Sequence, residues 1–344
     1  MSATERYFCK PMEEYPIAVV PDAANWSENF AFAGFDPKAG IEFFCHIGRW
    51  RRDLSLWREI VTIALPDGTV LVHRGIGNAF ATKHGPGGGN FSVEVTDPEK
   101  ASMRLRFQGG ARRLSESVLF EGPLVEGPYY RLAFDLVFDG IAPKWDLGKV
   151  GHKSEFMGAG HVEQFGRLHG FIEVDDLRLS YDSTINRDHS RGPRVFDSNI
   201  RHHWLQGYLD DGTRFQLYEA EIKGKVGPAY SEARVLVDGV CHAATATIRD
   251  KLPFSENRAL IRAPVRLAFA FDDKELKVTV TKMLRTISIQ STSPNDMYVG
   301  RRQEDEIQNT TVLEQGVSYA TTAGVQGYGH LERLVPGKLL VDPQ

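Results

Sequence analysis

Apolar and polar residues alternate with a period of two along most of the chain, the spacing that sends successive side chains to opposite faces of a strand. In MRLRF at 103–107, Met103, Leu105 and Phe107 oppose Arg104 and Arg106. In YRLAFDLVFDG at 130–140, Leu132, Phe134, Leu136 and Phe138 share one face. REIVTIALPDGTVLVHR at 58–74 predicts two strands around a Pro-Asp-Gly turn. GYLDDGTRFQLYEAEIKG, RVLVDGVCHAATATI and RLAFAFDDKELKVTVTKML repeat that scheme, each with a turn between strand-like runs. The pattern shows no amphipathic helix of three turns or more, so it predicts an all-β chain of barrels or sandwiches.

At 344 residues there is room for two domains of about 150 residues each. The expected break is APKWDLGKVGHK at 142–153, where Pro, two glycines and mixed charges interrupt strong strand patterns. That gives an N-terminal domain over 1–150 and a C-terminal domain over 151–344, with no letter-level repeat between them. GPGGGN at 85–90 reads as a flexible loop; it lacks the Gly-Lys-Ser/Thr ending of a phosphate-binding loop. Gly75-Ile76-Gly77 lacks the third glycine of a dinucleotide fingerprint.

Composition narrows the function classes. With 42% hydrophobic and 25% charged residues the chain reads as soluble and globular. A net charge of −4 and a pI near 6.3 give no general attraction to nucleic acid or anionic membranes. No run of 18 apolar residues predicts a transmembrane helix. The start, MSATERYFCKPMEEYP, lacks an apolar signal core, which predicts a cytoplasmic protein. Cys9, Cys45 and Cys241 are too widely spaced for a disulfide framework or a zinc knuckle.

Candidate chemistry concentrates in HVEQFGRLHGFIEVDDLRLSYDSTINRDHSRGPR, residues 161–194. An extended backbone sends His161, Glu163 and Arg167 to one face and Gln164 to the other. RDHSRGPR at 187–194 reads as a loop, too rich in Gly and Pro for mid-strand. Either that loop is solvated, or its charges pair in a network that closes a pocket, or the whole of it is a structural salt-bridge network. His161 and Glu163, with His189 or His203, give a weak metal motif that the surrounding arginines disfavour, so no metal or other cofactor is expected. Acid–base chemistry fits better, with Asp188 and His189 moving protons and Glu163 assisting. His161, Gln164, Arg191 and Arg194 are expected to bind substrate. His203, Trp204 and Tyr218 are also expected to bind substrate, with Trp204 and Tyr208 either lining an apolar cavity or belonging to the core. Ser190 lacks the Gly-x-Ser-x-Gly elbow of a nucleophile.

GHVEQFGRLHGFIEV and RDHSRGPR resemble the signature of the two-domain lipocalin-like superfamily. It includes carotenoid 1,2-hydratases, AttH-type proteins, kievitone hydratase-like enzymes and some Diels–Alderases. The resemblance implies two tandem lipocalin-like β-barrel or half-barrel domains and a hydrophobic ligand cavity. Hydratase members carry an Asp-His-Asn-Trp-Gly-like motif after a strand. Here Asp188, His189 and Gly192 match it, while Ser190 and Arg191 stand where Asn and Trp would, removing an aromatic that would stabilise a carbocation. The expected activity is a cofactor-independent lyase, isomerase or cyclase acting on an apolar, unsaturated small molecule of isoprenoid, steroid or polyketide type. The alternative is a non-catalytic carrier of a lipid or terpenoid. A structural β-sandwich with only protein partners is a third reading.

Overall fold

The computed structural model describes residues 14–78, 84–116, 128–147, 160–193, 200–250, 264–292, 296–299 and 310–336. Within them the chain is almost wholly strand, and no helix is long and apolar enough to cross a membrane. The first ten strands are β1 (Trp26–Asp36), β2 (Ile41–Trp50), β3 (Asp53–Ala64), β4 (Thr69–Gly77), β5 (Phe91–Asp97), β6 (Ser102–Ser115), β7 (Tyr129–Gly140), β8 (Trp145–Asp146), β9 (Gly160–Val174) and β10 (Leu177–Pro193). Eight of them pair antiparallel in chain order, and β10 closes on β1; β5 rides on β6 and β8 on β9. Closure leaves no free edge in the ring of eight.

The next nine are β11 (Ile200–Leu209), β12 (Arg214–Ile222), β13 (Tyr230–Val237), β14 (Val240–Ile248), β15 (Arg266–Phe271), β16 (Lys274–Thr292), β17 (Asp296–Val299), β18 (Thr310–Thr321) and β19 (Gln326–Pro336). They repeat the plan: eight antiparallel strands in order, β19 closing on β11, with β17 beside β16. The two tandem eight-stranded barrels meet the all-β expectation from alternation and turn chemistry and the tandem-barrel expectation from the family resemblance. The turns follow their residues, as at β13–β14, where Asp238 (φ 51°) and Gly239 (φ 78°) supply the two left-handed positions of a tight hairpin.

The break is elsewhere than expected. Contacts group Met1–Ser115 with Val125–Val195, and Glu116–Leu124 with Phe196–Gln344. The 142–153 stretch therefore lies inside the first barrel, whose last two strands, β9 and β10, follow it. Trp145 and Asp146 pair with Glu163 and Val162, so part of that connection-like sequence is itself strand.

Alternation fills the first barrel with aromatic rings. Phe43 lies 5.5 Å from both Phe134 and Tyr181, Phe107 is 5.5 Å from Phe134, and Phe32 is 5.7 Å from Phe138. Stacked, tilted and edge-on pairs at these distances pack a lumen tightly, and each buried ring contributes about 1.5–3 kcal/mol. In the second barrel Phe215 takes the same part, 5.1 Å from Phe269 and 5.0 Å from Tyr319.

The glycine-rich stretch at 85–90 is pinned rather than flexible. The buried Glu59 carboxylate accepts the backbone N–H of Asn90 at 2.9 Å and of Phe91 at 2.8 Å. A Cβ on Gly88 would lie 2.1 Å from Glu59 Oε2, so only glycine lets the backbone come this close.

Candidate functional site

Strand β10 is hydrogen-bonded on both sides, to β9 and to β1, so RDHSRGP is strand and not loop. Gly192 and Pro193 are its last two residues, which is why their presence does not interrupt it. Period two then divides the segment. Tyr181 and Ile185 belong to the first barrel's core, so Arg187, His189 and Arg191 share the lumen face, whereas Asn186, Asp188 and Ser190 face outward. On β9, Leu168 and Ile172 mark the lumen face, which Gln164 shares; His161, Glu163 and Arg167 face outward.

The outward set makes one buried cluster. Asp188 is paired in register with Glu163, and Ser190 with His161. His161 Nε2 lies 2.8 Å from Glu163 Oε1 and 2.6 Å from Asp188 Oδ2. Asn186 Nδ2 donates to Glu163 Oε2, and Ser190 Oγ donates to Asp188 Oδ1 at 3.3 Å. One imidazole nitrogen thus faces two carboxylates, and its proton is shared among three groups. Burial disfavours the imidazolium, but the Asp188 and Glu163 charges outweigh burial and raise the His161 pKa to about 9. Burial pushes Glu163 up, against the hydrogen bond from His161 and with help from the Asp188 charge. Asp188, with 12% of its side chain exposed, is the most open of the three. Arg167 shares this outward face but is exposed and forms a two-pronged pair with Asp182 at 2.7 Å.

The lumen set makes a structural salt-bridge network, one of the alternatives expected for the charged segment. Arg187 donates to Glu14 Oε1 at 2.8 Å and to Gln164 Oε1 through Nε and Nη2, and Lys144 pairs with the same Glu14 oxygen. Burial raises Glu14, but the Arg187 and Lys144 cations hold it below the usual carboxylate range. His189, placed with Asp188 and Glu163 by the sequence reading, is not in their cluster: it stacks on Phe30 at 3.9 Å, with Nε2 3.5 Å from Glu28 Oε1. Arg49 donates to Glu28 Oε2 at 2.9 Å and lies over Trp57. Arg191 is half-buried. Arg194 lies outside the described residues.

His161, Glu163 and Asp188 each offer one ligand atom, and these atoms lie within 4.8 Å of one another, a set that could hold a metal ion. The arginine argument against metal weakens here, because Arg187 and Arg191 share the opposite face. The raised His161 pKa favours a proton in the same place.

The remaining expected residues lie in the second barrel. His203 shares the lumen face with Leu205, whereas Trp204 and Tyr218, paired in register, face outward with His202. The sequence reading missed Asn186 in the first cluster. It also missed Glu314, His330 and Glu332, which join His202 on the second barrel's outer face. Alternation in QGYGHLERLVP would have put His330 and Glu332 on one face, but not beside Glu314. A surface recess of about 350 Å³ on the first barrel, lined by Arg106, Phe134, Phe171 and Arg178 among others, contains none of the expected residues.

A family model described as a domain of unknown function, DUF7064, matches residues 10–333. No curated protein matches the sequence. Among solved structures, an AttH-like protein of Nitrosomonas europaea (NE1406) is 13% identical with a TM-score of 0.56, over 90% of this chain and 92% of that one. CghA is 11% identical with a TM-score of 0.58, over 96% of each chain. Kievitone hydratase from Nectria haematococca is 10% identical with a TM-score of 0.54, over 97% of this chain and 94% of that one. These likenesses establish a shared tandem-barrel fold.

Proposed function

The chain belongs to the DUF7064 family, a domain of unknown function, and we propose that it is an acid–base enzyme of the lyase, isomerase or cyclase type. Its substrate is an apolar, unsaturated small molecule of the isoprenoid, steroid or polyketide kind. The observation that carries this reading is His161 Nε2, buried and within hydrogen-bonding distance of two carboxylates. An imidazole whose pKa is about 9 is protonated at neutral pH and serves as the acid. Protons enter and leave through Asp188, the most open member. In a hydration, the cluster's proton goes to one alkene carbon, water adds to the other, and the proton that water loses returns to a carboxylate; dehydration is the reverse. Asn186 and Ser190 hold the two carboxylates in place. One similar structure bears the name of a hydratase, which agrees with this reaction class. The aromatic packing of the first lumen disfavours the carrier reading, because a lipocalin-type carrier keeps its cargo in that space.

The test is incubation of the purified protein with a panel of prenylated and polyene compounds in ¹⁸O-labelled water, read by mass spectrometry. The expected result is a water adduct carrying one label, reduced at least about 100-fold in His161→Asn and Glu163→Gln. Folded variants with undiminished turnover would remove the cluster from the mechanism. Stoichiometric retention of a compound without turnover would restore the carrier.

A further inference from the structure

A second outward-facing cluster crosses four strands of the second barrel in one register row. Tyr218 on β12 pairs with Trp204 on β11, Trp204 with Glu332 on β19, and Glu332 with Glu314 on β18. His202 and His330 flank the row two residues to either side. Tyr218 Oη lies 3.3 Å from His202 Nδ1, His202 Nε2 bonds Glu332 Oε1, and His330 Nε2 lies 2.8 Å from Glu314 Oε2. The neighbouring arginine on this face, Arg234 on β13, is engaged with Gln216.

Two carboxyl groups side by side in a buried row cannot both ionise cheaply. Burial and the Glu332 charge push Glu314 well above the usual carboxylate range. Burial also raises Glu332, but His202 outweighs it and holds that group below the range. The row therefore combines one neutral acid, one carboxylate, and aromatic and imidazole rings. His330 meets Trp204 edge to face at 5.8 Å. In the middle of the row stands an unsatisfied donor. Trp204 is 4% exposed, and its Nε1–H has no hydrogen-bond partner among the described residues. A buried N–H left without an acceptor is costly, and native structures supply one.

From these observations we infer that the outer wall of the second barrel is a binding site for a neutral, flat, conjugated carbonyl compound, whose oxygen accepts the Trp204 Nε1–H. The rings of Tyr218, Trp204 and His330 suit a planar ligand. The Glu332 carboxylate, directly across from Trp204, repels an anionic one. The acceptor is therefore an uncharged oxygen, in the proposed ligand a ketone or quinone carbonyl, and not a carboxylate or phosphate. This site is independent of the acid–base reading of the first barrel, and its test does not use turnover.

Menadione, 2-methylnaphthalene and 2-naphthoate share a two-ring skeleton, carrying two carbonyls, no oxygen, and a carboxylate. Binding of each to the full chain is measured by equilibrium dialysis. Menadione is expected to bind at least tenfold more tightly than 2-methylnaphthalene, and 2-naphthoate more weakly than either. Trp204→Phe should bring the menadione to 2-methylnaphthalene ratio near one and leave 2-methylnaphthalene within twofold. In the unmodified chain, infrared difference spectra should show the bound menadione carbonyl stretch moved to lower wavenumber, a reading that needs no variant to fold. Equal affinities for menadione and 2-methylnaphthalene, no menadione binding, or a ratio unchanged in folded Trp204→Phe would each overturn the inference.

Discussion

Replacing Asp188 with Asn removes one of the two charges that keep His161 protonated while preserving side-chain size. In the native cluster the imidazole is raised from 6.5 to about 9 against the burial that opposes it. At 1.36 kcal/mol per pKa unit that rise corresponds to about 3 kcal/mol. The Asp188 charge is the largest of the influences raising it, so in the variant only Glu163 is left to oppose burial. The imidazole should return to its ordinary range or below. The sign for stability follows. A group with a raised folded-state pKa stabilises the native state fully below pH 6.5, and that contribution fades as pH climbs through 9. The native chain should thus lose about 3 kcal/mol between pH 6 and 9.5 that Asp188→Asn does not lose, the variant being already the weaker of the two at pH 6. Histidine-selective ¹³C NMR titration follows the imidazole, and urea unfolding at the two pH values gives the difference between the chains. An imidazole still titrating near 9 in the variant, or pH profiles that run parallel, would refute the shared-proton account.

Two further expectations concern the barrels themselves. Glu14→Ala leaves the buried Arg187 and Lys144 without their common carboxylate and should cost about 3–5 kcal/mol in urea unfolding, where a loss below about 1 kcal/mol would show the cations finding other partners. Gly166→Ala and Gly207→Ala put a methyl 2.1 Å from the Phe138 ring and 2.0 Å from the Phe215 ring; each should lower stability by about 1–3 kcal/mol, and melting curves indistinguishable from the native one would mean those rings move aside freely.

Much of the fold was legible because alternation and turn chemistry are local. Leu132 to Phe138 and the Asp238-Gly239 turn carry their own instructions. The domain break was not, because Pro143 and Gly148 mark a connection equally well within a barrel and between barrels; what separates the cases is the pairing of β9 and β10 with β7 and β1. The candidate cluster was half legible. Period two correctly joined His161 to Glu163, but Gly192 and Pro193 suggested a loop where they end a strand, and His189 was grouped with acids that lie on the opposite face. Glu314 and Glu332 escaped altogether, since their meeting depends on the register between β18 and β19, and the composition of either strand alone does not contain it.

The division of labour along β10 also sets a rule for how that strand tolerates change. Its odd positions hold the plug of the lumen and its even positions hold the proton cluster. Substitutions can be absorbed one face at a time. A single inserted or deleted residue upstream of Arg187 would exchange the two sets, carrying an arginine and a histidine out to the acids and an aspartate into the aromatic interior. Homologous chains should therefore vary in lettering here far more readily than in length.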